Sequence, residues 1–212
     1  KGGVVSSVNS VQPDWAMPVA NSLVACASEW LRALAEIAAA VARTNEVSAP
    51  VSDIEPSAVS SDIAKALLRG ENKAILLGNA AAHHSQASKL LALCNWIGEQ
   101  TGASVGYLTE AANTVGAQWM NALPDAAALH AGQMLSGALK GVLLLNTEPV
   151  WDSAAGAGAV GALAGADMVV TLSPFKTNMD FSDVLLPIAP FTETSGSFVN
   201  AEARLQSFHA VV

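Results

Sequence analysis

Ser182-Asp183-Val184-Leu185-Leu186-Pro187, followed by Glu193-Thr194-Ser195-Gly196-Ser197-Phe198-Val199-Asn200-Ala201-Glu202-Ala203-Arg204-Leu205-Gln206, is the stretch on which the fold turns. Residues 183–186 read as the end of a buried strand that Pro187 stops, because proline gives no N–H to a ladder and fixes its own φ. Past the Gly196 turn, Val199, Ala201, Ala203 and Leu205 alternate with Asn200, Glu202, Arg204 and Gln206. A period of two predicts one extended segment with four hydrogen-bonding side chains on one face. That face either meets a neighbour or stands in water as half of a surface strand.

Outward from here, strands and helices alternate. Residues 2–11, 73–77, 104–108, 141–145 and 167–172 are short strand-like runs, the second ending at Gly78. Helical patterns cover 85–101, 125–137 and 153–163, and another runs over 60–69, capped by Ser60-Ser61-Asp62 and stopped by Gly70. A longer helix near 22–43 keeps Leu23, Ala27, Trp30, Leu34, Ile37 and Val41 on one stripe. The alternation predicts an α/β fold, a doubly wound, mainly parallel sheet with helices on both faces. Residues 44–58, polar and holding Pro50 and Pro56, read as an exposed connection or insertion and the segment least expected to be ordered. The whole reads as a single domain over residues 1–212.

Composition supports a substantial core: 212 residues, 51% of them hydrophobic, suffice for one domain that buries about 70% of its unfolded surface. Ten basic and 18 acidic side chains give a formal charge of −8 without any acidic run, which argues against a nucleic-acid partner and fits an acidic cytosolic surface. Cys26 and Cys94 fall in apolar helical patterns far apart, as expected of reduced core thiols rather than a disulfide or cluster ligands. Glu29, Arg32 and Glu36 interrupt the apolar stretch 19–42, so it predicts a buried or amphipathic helix and no direct membrane insertion. No secretory signal is legible in residues 2–14. With Lys1 at its start and Val211-Val212 closing an apolar stretch, the chain is expected to be a fragment of a larger one.

Three motifs in order carry a resemblance. The stretch 183–206 resembles the A-D-V-V-L-P … E-x-x-G-T-F-x-N-x-E-G-R-x-Q signature of the molybdopterin oxidoreductase superfamily, which includes formate dehydrogenases and nitrate reductases. Leu77-Gly78 with His83-His84-Ser85-Gln86 is similar to its G-x-G … q-h-s-n-G turn, and Asn113-Thr114-Val115-Gly116 with Leu123-Pro124 to its N-x-x-G … L-P. Leu186-Pro187-Ile188-Ala189-Pro190-Phe191 and the residues to Gly196 most resemble the branch formed by the large iron-sulfur subunit, the G subunit, of respiratory NADH:quinone oxidoreductase (complex I).

That resemblance, clear over residues 73–212, implies a molybdopterin oxidoreductase-like domain in a parent that passes electrons from NADH to quinone. It implies [4Fe-4S] and [2Fe-2S] clusters elsewhere in the parent, since clusters need several closely spaced cysteines. The implied partners are other peripheral-arm subunits. The implied location is cytoplasmic, peripheral on the inner face of the plasma membrane through the complex. This stretch itself is expected to hold no catalytic residue, no metal and no cofactor, as a structural domain. Gly78, Asn113, Gly116, Asn146, Glu148, Asn200, Glu202 and Arg204 then mark vestigial positions of a pterin pocket.

The departures from the signature favour that branch. Asn146-Thr147-Glu148-Pro149 stands where the superfamily has G-x-N-P, which puts a carboxylate where an anionic pterin nucleotide would lie. Ala203 replaces the glycine of N-x-E-G-R and Ala87 that of n-G; a Cβ where φ is positive costs about 1 kcal/mol. The alternative is the pterin-binding domain of a molybdenum enzyme such as a formate dehydrogenase, with Gly78, Asn113, Asn146, Glu148 and Asn200 lining the nucleotide. Glu148 and Ala203 oppose it.

Other motifs offer less. Gly156-Ala157-Gly158-Ala159-Val160-Gly161 matches G-x-G-x-x-G and allows a third reading, a nucleotide-binding module. The strand before it ends near Leu145, too early for a phosphate-binding turn, so a tightly packed small-residue helix is the plainer expectation. His83 and His84 are adjacent, without cysteine or carboxylate at ligand spacing, and predict packing at a helix start. There is no Ser-His-Asp spacing and no G-x-S-x-G elbow.

Overall fold

The computed structural model describes residues 3–125, 127–137 and 139–211. Gly2, at the start of the first expected strand, Ala126, inside the expected helix 125–137, and the terminal Val212 lie outside them. Two compact units divide the chain, residues 1–110 and 111–212.

In the first unit, β1 (Ser6–Asn9) pairs in parallel with β2 (Asn21–Val24), in register Ser6 with Asn21. A 3-10 turn, Ala27–Glu29, leads into α1 (Trp30–Asn45), and α2 (Ala58–Arg69) follows. Then come β3 (Ala74–Leu77), the short α3 (Asn79–Ala82), α4 (Ala87–Thr101) and β4 (Ser104–Tyr107), which pairs in parallel with β3. Alanine-rich α1 packs on both α2 and α4. It buries every residue from Ile37 to Ala42, as a helix apolar nearly all round must. The core joins Ile37 and Val41 of α1 to Ile63 of α2 and Ile97 of α4. Gly98 permits the close approach of α4 to the strand beyond it: a Cβ there would meet Val105 Cγ2 at 2.6 Å and the Ala103 carbonyl oxygen at 2.9 Å.

The expected helix 22–43 is corrected at its start. Asn21–Val24 is a strand, whose ladder to β1 satisfies its backbone; Leu23 still reaches the core, so an apolar stripe of apparent helical spacing runs across a strand, a turn and a helix. Cys26 accordingly lies in an exposed connection, while Cys94 is buried in α4, where burial pushes its thiol up to about 11. Helix α2 starts earlier than its predicted cap, because Ser57 accepts the Ser60 N–H at 3.2 Å. Glu36 of α1 reinforces that start from outside: its carboxylate accepts the Ser57 N–H at 3.2 Å and the Ser60 hydroxyl at 3.0 Å. An anion at a helix N-terminus is favourable. Residues 46–57 carry neither helix nor strand, and Arg43 pairs with Glu55 across them at 2.7 Å.

In the second unit, α5 (Thr114–Trp119) and α6 (Ala131–Ser136) precede β5 (Gly141–Leu145). Helix α7 (Pro149–Asp152), α8 (Gly158–Ala164), β6 (Met168–Ser173) and β7 (Val184–Pro187) follow. Strands β5, β6 and β7 form a parallel sheet in that order, Leu144 beside Thr171 and Thr171 beside Leu185. A 3-10 turn, Phe191–Glu193, leads to an antiparallel hairpin of β8 (Gly196–Val199) and β9 (Leu205–Phe208). Leu144 and Val169 face Leu163 of α8 and Phe181 of the β6–β7 connection. That connection is held by a buried polar chain: Thr171 Oγ1 to Ser182 Oγ at 2.7 Å, and Ser182 Oγ to the Asn178 carbonyl at 2.7 Å.

Several predicted elements shift here. The helix over 125–137 shortens to α6, started by a box in which Gln133 N–H donates to His130 and the Gln133 side chain accepts the His130 N–H. The helix over 153–163 is replaced by α7 and α8, parted at Gly156, where φ is +53°. Parallel strands alternate with helices, so the α/β class is observed; the described strands fall into separate small sheets rather than one doubly wound sheet. Among the described residues no helix is long and apolar enough to cross a membrane.

Two measurements check this packing. Burial works to raise the pKa of Glu36, yet hydrogen bonds from Ser57 and Ser60 and the charge of Arg32 outweigh it and leave it below 4.5. A depressed folded pKa contributes stability that is present at neutral pH and is lost as pH falls through that value. Glu36→Gln therefore lowers the urea midpoint at pH 7, and the difference from the parent closes as pH drops below 4.5; a pH-independent difference would contradict it. In the native chain iodoacetamide modifies exposed Cys26 well before buried Cys94, and peptide mapping that found equal rates would contradict the placement of α4.

Candidate functional site

The signature residues sit at turns. Those of the second unit, Asn113, Gly116, Asn146, Glu148, Asn200, Glu202 and Arg204, lie at or near the ends of its helices and strands, while Gly78 belongs to the first unit. Their geometry explains most of the residue types without any ligand.

Asn113 and Gly116 act together. Asn113 precedes α5, and its Oδ1 accepts the Val199 N–H of β8 at 2.9 Å, which ties the N-x-x-G motif to the distant hairpin. Gly116 is buried beneath that side chain, and a Cβ at this position would overlap Asn113 Oδ1. The glycine is therefore a steric necessity of the link. No periodicity signals it, because the partners stand 86 residues apart.

Asn200 closes the hairpin. Its Oδ1 accepts the N–H groups of Glu202 and Arg204, both at 3.0 Å, and Ala203 stands between them at φ 61°. The expected single extended segment with a polar ladder is thereby corrected: residues 200–203 turn, and β9 starts at Leu205. Short amide side chains favour such turns by bonding their own backbone. Glu202 and Arg204 pair at 3.3 Å on the surface, an interaction of little energetic weight. Gly196 sits opposite Phe208, whose ring meets Phe198 edge-on at 4.9 Å, and a Cβ on Gly196 would come within 2.9 Å of that ring.

The turn after β5 lies at the carboxyl ends of parallel strands, where open α/β sheets bind ligands. Asn146 adopts φ 49°, and its N–H donates to the Leu172 carbonyl at 2.8 Å. The Glu148 N–H donates to Asp152 Oδ2 at 2.6 Å, and the Thr147 hydroxyl lies 3.2 Å from the same oxygen. Buried Asn178 donates to the Thr147 carbonyl at 2.9 Å. Thus the Asn146 and Glu148 N–H groups and the Thr147 hydroxyl, donors that an anionic ligand would compete for, already serve the Leu172 carbonyl and the Asp152 carboxylate. The Glu148 side chain adds a further negative charge. These residues do not fit an anionic group.

Other candidates fall to structural roles. Gly78 precedes α3 in extended backbone with open space where a Cβ would stand. Ala87 is the first residue of α4, a position that alanine takes without strain, so the cost expected of it is absent. His84 stacks on Trp30 with ring centroids 5.9 Å apart, and its Nε2 bonds the Ala27 carbonyl at 3.0 Å. His83 meets Glu110 at 2.6 Å in the open. The Gly156 turn leads into a seven-residue helix separated from β5 by α7, a context unlike a dinucleotide-binding turn. Among the described residues no three His, Cys, Asp or Glu side chains gather as a metal-binding group.

The family profile described as "Molybdopterin oxidoreductase" matches residues 50–212, through both units. The chain belongs to the molybdopterin oxidoreductase family. It is 29% identical over 184 residues to the G subunit of the NADH-quinone oxidoreductase of Pseudomonas putida, a match that covers 84% of this chain and 20% of that protein. The corresponding G subunit of Pseudomonas fluorescens is 28% identical over the same share of each. The chain thus spans about a fifth of the length of the relatives it matches.

Left-handed backbone at an alanine gives a direct test within this family fold. Ala203→Gly relieves the conformation at φ 61° and raises the unfolding free energy by about 1 kcal/mol in urea titration. A loss of stability on that substitution would mean that residue 203 is not held in the left-handed region.

Proposed function

We propose that residues 1–212 are part of the iron-sulfur G subunit of an NADH-quinone oxidoreductase, and that this part is a cofactor-free structural domain. The observation that carries the reading is the turn after β5, whose donors serve Asp152 and whose Glu148 opposes a phosphate. Likeness to the two Pseudomonas G subunits over most of the chain supports it.

In this reading the parent moves electrons from NADH to quinone through [4Fe-4S] and [2Fe-2S] clusters bound outside the stretch described. No side chain of this domain takes part in that transfer. Gly78, Asn113, Gly116, Asn146, Glu148, Asn200, Glu202 and Arg204 keep the places of a pterin pocket, and the turns they build have become framework. The domain offers its surface to other peripheral-arm subunits, which hold it on the cytoplasmic side, at the inner face of the plasma membrane. In the parent the strands belong to a doubly wound sheet with helices on both faces. The reading as a pterin-binding domain of a molybdenum enzyme such as a formate dehydrogenase is disfavoured by the same turn.

Elemental and pterin analysis of the full-length parent, purified from its native membranes with iron counted in the same sample, decides between the two. Iron without molybdenum, tungsten or pterin is the expected result. Stoichiometric molybdenum or tungsten with pterin would overturn the proposal.

A further inference from the structure

The turns that follow β5, β6 and β7 share one edge of the sheet, because parallel strands end on the same side. Asn178 ties the second turn to the first through the Thr147 carbonyl at 2.9 Å, and the Ile188 N–H ties the third to the Ser173 carbonyl at 3.4 Å. On these turns Trp151 is 77% exposed and Phe191 82%, and Phe175 and Met179 are exposed as well. Aromatic rings and methionine are the side chains enriched at protein interfaces, and rings standing in water gain much from being covered. The charge on the same turns is one-sided. Residues 146–152, 174–180 and 188–193 set the carboxylates of Glu148, Asp152, Asp180 and Glu193 against Lys176 alone. Among the described residues no ion pair engages any of these carboxylates. The field that opposes a phosphate at Glu148 is one that draws a cation in.

We propose that this edge is a docking surface for a separate protein subunit, which presents to it a segment carrying lysine or arginine among apolar side chains. Charge complementarity chooses the chemistry of the occupant: its apolar groups cover Trp151 and Phe191, and its cations pair with Asp180 and Glu193. The mixture of rings and carboxylates chooses its source. Contacts inside one folded chain seldom bury carboxylates, whereas surfaces between separately folded chains join aromatic anchors to a charged rim.

The inference deepens the proposed function and rests on it only for the presence of neighbouring subunits. Hydroxyl-radical footprinting of the unsubstituted full-length protein, alone and in its native complex, tests it by mass spectrometry. Trp151 and Phe191 are expected to be oxidised severalfold more slowly in the complex than in the protein alone. Equal oxidation in the two, whether fast or slow, would overturn the proposal, because the edge is then either open or covered by its own polypeptide. A photoreactive benzophenone amino acid at Phe191, in the assembled complex, identifies the occupant. Cross-links to another subunit, within a segment of net positive charge, are expected. Cross-links to a neutral or acidic segment, to a second copy or to the same polypeptide would sink the inference. Asp180→Lys together with Glu193→Lys should abolish the protection of Trp151, and its persistence would show that charge does not select the partner. Any of these failures leaves the structural-domain reading in place, whereas molybdenum with pterin in the parent defeats that reading alone.

Discussion

Parallel pairing is the constraint from which the rest of this structure follows. Two parallel strands cannot be joined by a tight turn, so each of the pairs β1–β2, β3–β4, β5–β6 and β6–β7 requires a connection that leaves one end of the sheet and returns to the other. Where that connection is helical it supplies the cover for one face, as α4 does between β3 and β4 and α8 between β5 and β6. The turns at the carboxyl ends of the strands are left with the task of reversing the chain. In an enzyme of this architecture the same turns meet the ligand. In this chain the Asn146 and Glu148 N–H groups and the Thr147 hydroxyl are directed to Leu172 and Asp152.

A retained framework and a retained site make different demands on the same residues. Gly116 has to remain glycine because the Asn113 side chain occupies the space of its Cβ, whatever the domain binds. Position 203 needs only a left-handed turn, which glycine adopts freely and alanine adopts at some cost. The demand at 203 is conformational and small, whereas at 116 two atoms would overlap.

The class of the fold was legible because strand runs such as 141–145 and 167–172 are short, apolar and separated by helical patterns. Boundaries were less so where an apolar spacing crossed element types. Leu23, Ala27 and Trp30 fall at helical intervals, yet Leu23 reaches the core from a strand, and only the ladder to β1 tells them apart. Alternation misled at 199–206, since the Asn200 side chain competes for the backbone and bends it, a local contest that a period-two count does not register. The motifs drew attention to Asn113, Gly116 and Asn200, whose contacts hold turns in place. They did not announce Asp152 and Asn178, whose roles come from atoms that only folding brings together.

The Asn113–Val199 bond has a consequence for how the second unit assembles. Its partners are separated by 86 residues, and the intervening chain contains the whole β5–β6–β7 sheet. Closing so long a loop costs entropy, and that cost is smaller once the sheet between the partners is in place. The signature's two halves are thus a latch: a contact that presupposes the sheet lying between them in the chain.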